Sequence, residues 1–340
     1  MGKCARGLWF GLLLCLGCVK NALPPLGDCP SPGAASPPTT EPVPLVEGAA
    51  GCEDLRFSPA INKLVAEPQG TGTVFLLSSE GGTPDRVDGV PPGVSTGDAG
   101  DGMVFVGDRA GDKVLALEPG LGTIASTLPL EHTLEYVRYT ALTHEVWVTE
   151  PQDRQIEILS VKDGALSHAA FISVPGGPIG LAFDNTRRRA YVHGAASIIA
   201  IDVDRRQILA EWRTGCGRSE GVPVVDEDRG FIFAGCSTRG GGAVLSVQDG
   251  TVLSGYESGG GAAVLAYSPS YGHLYLRGDP GPTVEVLAVC GNGAMAPLGR
   301  VEVADVGHGM AADNKGNVWV CDEAEGGLIH FRDPWAKVSR

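Results

Sequence analysis

Residues 180–213 read GLAFDNTRRRAYVHGAASIIAIDVDRRQILAEWR, and the fold is decided here. Four short apolar pieces, Leu181-Ala182-Phe183, Ala190-Tyr191-Val192, Ile198 to Ile201 and Leu209 to Arg213, are separated by polar turns. None is long enough for a helix, and their β-branched and aromatic residues favour strands. The second piece recurs along the chain as Leu64-Val65, Val104-Phe105, Val146-Trp147, Ala190-Tyr191, Ile232-Phe233, Leu274-Tyr275 and Val318-Trp319. From the second residue of one pair to that of the next, the spacings are 40, 42, 44, 42, 42 and 44. Periods of this length mark solenoids or propellers.

The other three pieces recur around each pair. A polar turn closes the first piece at Phe57-Ser58-Pro59, Ala182-Phe183-Asp184, Val224-Val225-Asp226, Ala266-Tyr267-Ser268-Pro269 and Ala311-Ala312-Asp313. An alternating third strand follows at Val74 to Leu77, Val114 to Leu117, Ile156 to Leu159, Ile198 to Ile201, Val244 to Val247, Val284 to Leu287 and Leu328 to Phe331. Asp163-Gly164 and Asp249-Gly250 are hairpin signals leading to the fourth strand. Four strands per repeat make a propeller blade, and seven anchors predict an all-β, seven-bladed β-propeller. The last repeat lacks a fourth strand. Counting back from the first turn places the apolar piece Pro44 to Glu47 as the outer strand of blade seven, closing the ring and covering an otherwise unpaired edge.

On these residues the chain resembles the YVTN-type β-propellers, whose blades carry a polar turn, a Tyr-Val-like second strand and a strand ending in Asp. Blade four fits best through Gly180 to Asp184, Ala190-Tyr191-Val192 and Ile199-Ala200-Ile201-Asp202. Blades two (Val94 to Asp98) and three (Tyr136 to Thr140) are degenerate. The resemblance spans about residues 45 to 333 and implies a bacterial propeller without specifying a chemistry, because propellers host many unrelated functions.

Composition agrees with such a fold. The 50 Gly and 24 Pro of 340 residues exclude a long helical bundle, and 43% hydrophobic against 19% charged residues can build a sizeable core. A net charge of −14 argues against nucleic acid or an anionic membrane surface as an electrostatic partner.

At the N-terminus, Lys3 and Arg6 precede the short apolar run Gly7 to Gly17, the form of an export signal. Cys15-Leu16-Gly17-Cys18 resembles a lipobox, which implies a signal peptide over 1–17 and lipidation of Cys18. Cys15 stands where that motif usually has Leu, so ordinary secretion and an uncleaved anchor are the alternatives. Residues 18–44 are rich in Pro and form a tether, with the propeller domain over 45–340. Of nine Cys, those at 29, 52, 216, 236, 290 and 321 fall in the mature chain. In a blade the lead-in to the first strand and the exit of the second share a face, so Cys216 is expected to bond Cys236 and Cys52 to bond Cys321. Cys290 falls on the opposite face and leaves Cys29 as its partner; buried free thiols are the alternative.

Propeller chemistry concentrates where first strands open into the central channel. There the repeat places Glu53, Asp54, Glu135, Glu220 and His308, beside Gly93, Ile179 and Ala263. Carboxylates with one His offer oxygen and nitrogen ligands to a divalent cation, although loop-end acids are ordinarily solvated. Asp108, Glu150 and Asp322, in loops after second strands, are expected to make that face acidic. No nucleophile elbow or phosphate loop occurs, and no catalytic residue or cofactor is assigned. The reading is a monomeric, non-catalytic cell-envelope lipoprotein, anchored to a membrane by lipid, that binds or scaffolds a protein or polysaccharide and takes no nucleic acid. The alternative is a lactonase-like hydrolase or lyase using a channel-mouth metal or His308.

Overall fold

The computed structural model describes residues 38–45, 51–304 and 307–336. These residues form seven four-stranded antiparallel sheets and no helix. Six blades run in chain order: 55–88, 94–129, 137–173, 181–213, 219–257 and 262–302. Blade seven takes three strands from 310–332 and its outermost from Thr40–Pro44. The seven-bladed β-propeller expected from the spacing is therefore present, and all seven anchor pairs lie in second strands.

The second and third strands read as nearly continuous apolar runs because each blade is covered on both faces by its neighbours. Val146, Trp147 and Val148, and Ile198 through Ile201, are at most 2% exposed. The anchors Val65, Phe105, Trp147, Tyr191, Phe233, Tyr275 and Trp319 are at most 4% exposed. Several reach an aromatic ring on the first strand of the following blade: Phe105 meets Tyr139, Trp147 meets Phe183, Phe233 meets Tyr267 and Trp319 meets Phe57. Fourth strands, with one edge in solvent, alternate in exposure instead, as in Gln207–Arg213. At the Asp163-Gly164 turn both residues have positive φ (52° and 79°), the conformation for which a two-residue hairpin selects these residue types.

The ring closes through the N-terminal strand, but not at the residues expected. Thr40–Pro44 pairs antiparallel with Gly327–Arg332, from Thr40 opposite Phe331 to Pro44 opposite Gly327. Of the expected piece, Pro44 lies in the strand, Leu45 follows it, and positions 46 and 47 fall outside the described residues. The displacement arises from the connection into blade one, residues 45–54, which is longer than the seven residues, 174–180, between blades three and four. The last five residues of the Pro-rich stretch thus belong to the sheet. Pro42 and Pro44, two residues apart, aim both ring nitrogens to the same side of an outer strand, where no ladder donor is needed.

Both expected disulfides form. Cys216–Cys236 links the lead-in and second strand of blade five across a Cα separation of 5.2 Å. Cys52–Cys321 joins blade one to blade seven across 5.8 Å and is a second closure of the ring. Cys290 is also disulfide-bonded; Cys29, expected as its partner, lies outside the described residues. Such bonds fit a compartment outside the reducing cytosol. No helix among the described residues is long and apolar enough to cross a membrane.

Candidate functional site at the channel mouth

The first strands enclose a channel of about 480 Å³. One ring of side chains is set by register, since each is paired with an anchor residue: Arg56 with Val65, Asp98 with Phe105, Arg138 with Trp147, Ala182 with Tyr191, Val224 with Phe233, Ala266 with Tyr275 and Ala311 with Trp319. All seven line the channel. Three consecutive blades contribute charge and the other four contribute small apolar groups, so the channel has two unlike walls.

The charged wall is a closed network. Arg138, 1% exposed, donates to both oxygens of Asp54 at 2.7 and 3.0 Å, and Thr96 donates to the same carboxylate at 2.7 Å. The Arg138 guanidinium also lies 5.2 Å from the centre of the Tyr136 ring. Arg56 pairs with Asp98 at 2.8 Å. Burial alone would raise the pKa of Asp54, but the charge and hydrogen bonds of Arg138 bring it below the usual carboxylate range. The neighbouring Glu67 is 2% exposed, and desolvation with the nearby Asp54 charge pushes its pKa well up. Beside it, two arginines pair with two carboxylates, Arg138 with Asp54 and Arg56 with Asp98.

Above this network sit four of the five residues that the repeat assigned to the mouth. Arg109 binds the Glu53 carboxylate and lies 3.3 Å from that of Glu135. Desolvation raises the pKa of Glu135, as do the charges of Glu53 and Glu220 across the opening, while Arg109 and His308 act against them. His308 Nδ1 lies 3.1 Å from Asp279 Oδ2. The Asp279 hydrogen bond raises the His308 pKa, with the Glu220 and Glu53 charges adding to it. The loop carrying His308 is held by Arg277, which donates to the carbonyls of Gly307 and of Ala304, the latter at 2.9 Å. Close packing demands glycine before His308: a Cβ on Gly307 would sit 2.1 Å from the Cys321 carbonyl oxygen.

The fifth residue, Asp54, is withdrawn from the mouth into the buried pair with Arg138. The three loop acids expected to make the face acidic do not present charge there either. Asp108 is 2% exposed and pairs with Lys113, Asp322 caps its own turn through the Glu325 N–H, and Glu150 is fully buried beside Gln155. Asp108 and Asp322 turn inward because the turn after a buried strand needs an acceptor for its backbone donors, here the N–H groups of Gly111 and Glu325. Sequence reasoning missed Arg109, Arg138 and Asp279. For Arg138 a signal existed: a charged residue breaks the first strand of the blade called degenerate. Arg109 lies in a turn and Asp279 ends the second strand of blade six, neither with a repeat signature. Among the described residues, no group of three or more His, Cys, Asp or Glu side chains is arranged to hold a metal ion.

No family profile and no curated protein matches the sequence. Solved structures do match in fold. The structure of U3-55K superposes with a TM-score of 0.72 at 12% identity, covering 88% of this chain and 100% of the other. The RRP9 WD40 repeats give 0.73 at 12% identity, covering 87% and 99%. Hydrazine synthase of Kuenenia stuttgartiensis gives 0.70 at 10% identity, covering 85% and 97%. At these identities the likeness is one of fold: a propeller of the same architecture as WD40-repeat propellers.

Proposed function

We propose that this chain is a non-catalytic binding or scaffolding propeller of YVTN type, exported to a bacterial cell envelope, anchored to a membrane by lipid on Cys18, and engaging a protein or polysaccharide. The observation supporting it is the pairing at the channel mouth. Glu53, Glu135 and Asp54 are engaged by arginine and His308 by Asp279. Carboxylates and an imidazole already held in this way are poorly placed as general bases, although one arginine shared by Glu53 and Glu135 does not cancel both charges, and a rigid recess with two unlike walls suits recognition. Structural neighbours that include WD40 repeats agree with a scaffold.

A second reading, a lactonase-like hydrolase or lyase, draws on the His308–Asp279 contact, because a carboxylate that orients an imidazole is one component of a general base. Both readings are tested by metal analysis of purified protein followed by a lactone-hydrolysis screen with and without Ca²⁺, Mn²⁺ and Zn²⁺. The expected result is no turnover above buffer. Turnover that disappears in His308→Ala would overturn the non-catalytic reading. The anchor is tested separately by mass spectrometry of the mature N-terminus, where an unlipidated end beyond Asn21 would make the protein freely secreted.

A further inference from the structure

Charge at the channel mouth does not balance. Glu53, Glu135, Glu220 and Asp279 stand around the opening against Arg109, His308 and Arg277, the last 4.0 Å from Asp279, so even with the imidazole protonated the carboxylates outnumber the cations by one. Among the described residues the Glu220 carboxylate has no ion-pair partner. The arginines deeper in the channel give no relief, since Arg138 is committed to Asp54 and Arg56 to Asp98.

A second observation is independent of these acids. Tyr136 lines the channel, is 5% exposed, and among the described residues its hydroxyl has no hydrogen-bond partner. A hydroxyl on a buried ring that opens to a cavity without a protein partner is available to a ligand. Opposite the charged wall the lining is apolar and low in relief: Pro223, Ala263, Val264 and Met310. A bare metal ion would gain nothing from that wall. An anion would meet uncompensated carboxylates at the opening.

We propose that the channel mouth binds an alkylammonium group, with the charged head among Glu53, Glu135 and Glu220 and the methylene stem against the apolar wall. The ammonium is a compact charge with three donors, matched to carboxylates that approach from separate blades and to the Tyr136 oxygen. The channel of about 480 Å³ below the mouth, which Glu53, Tyr136 and His308 help to line, has room for the stem of a short diamine or a lysine side chain. This deepens the binding reading and rests on it.

The test is saturation-transfer NMR and calorimetry on the full-length protein with four probes: cadaverine, Nα-acetyl-lysine methylamide, 1,5-pentanediol and glutarate. Saturable binding of one or both amines is expected, with none for the diol or the dicarboxylate. Glu53→Gln/Glu135→Gln should weaken it at least tenfold, and Tyr136→Phe severalfold, with unchanged circular dichroism as the folding control. Preference for cadaverine assigns a free amine; binding of the lysine derivative alone assigns a side chain of a partner. The proposal is overturned if neither amine binds, if the diol binds as well, or if a folded double variant retains full affinity. Conversion of a probe into a new species would instead remove the non-catalytic reading, a separate signal in the same spectra.

Discussion

The two disulfides among the described residues enclose very different lengths of chain, and their removal should not cost the same. Cys52–Cys321 spans 269 residues and Cys216–Cys236 spans 20. Loop-closure entropy grows with the logarithm of the enclosed length, which puts the ring-closing bond at about 5–6 kcal/mol and the blade-five bond at about 3 kcal/mol. With an unfolding entropy of roughly 2.1 cal/mol/K per residue, those figures correspond to melting shifts of about 9 °C and about 5 °C. Differential scanning calorimetry of C52A/C321A and C216A/C236A reads the difference directly. Packing is a confounder, because Cys52 and Cys321 are 2% and 0% exposed. The single variant C52A already opens the bond, so the further loss in C52A/C321A isolates the packing of the second sulfur. A ring-closing variant that melts no lower than the blade-five variant, after that correction, would refute the reasoning. It would show that the Thr40–Pro44 strand and the blade one–seven interface hold the ring without help from the covalent bond.

Three further outcomes are expected. Deleting Thr40–Pro44 should lower the melting temperature by several degrees and raise light scattering on heating, because it bares the edge of Gly327–Arg332; an unchanged transition would show that this strand does not close the ring. Glu150 has its pKa pushed up to about 7 by burial and by the neighbouring Glu157 charge, above the unfolded value, so the folded protein holds a proton that the unfolded chain releases. Its contribution is complete below about pH 4.5 and lost as pH rises through about 7, and Glu150→Gln should flatten the profile of urea midpoints there by about 1–3 kcal/mol. Arg138→Met should cost about 3–5 kcal/mol by leaving Asp54 buried and unpaired, with much of the loss restored in Asp54→Asn/Arg138→Met, as chemical denaturation of the two variants would reveal.

What could be read from the sequence follows from which residues carry the repeat. The anchors are buried on both faces in every blade, so the same packing requirement acts seven times and leaves a period of 40 to 44 residues. Blade count, strand order and both described disulfides follow from that period. The closing strand was legible in kind but not in position, because the connection 45–54 has no counterpart of equal length between blades. At the mouth, counting from the polar turn located Glu53, Glu135, Glu220 and His308, yet it could not see where a side chain turns. Asp54 is one position from Glu53 and points to Arg138, 84 residues away, a pairing that no local pattern encodes.

That pairing bears on why blades two and three depart from the repeat. A buried ion pair is a weak source of stability, and well-packed apolar groups of similar volume serve as well or better. Blades four to seven demonstrate the alternative in the same ring, with Ala182, Val224, Ala266 and Ala311 at the positions that Arg56, Asp98 and Arg138 occupy. Holding the propeller together therefore does not require the charged wall. Nor does the network arise from one substitution. Asp54 comes from blade one, Thr96 from blade two and Arg138 from blade three, and each alone would leave a buried polar group short of its partner. First strands are the place where such departures are tolerated, since their free edge faces the channel while second and third strands carry the interblade packing. The degenerate sequences of blades two and three are thus the parts of the repeat released from packing, and they supply one wall of the recess to which the amine proposal assigns a ligand.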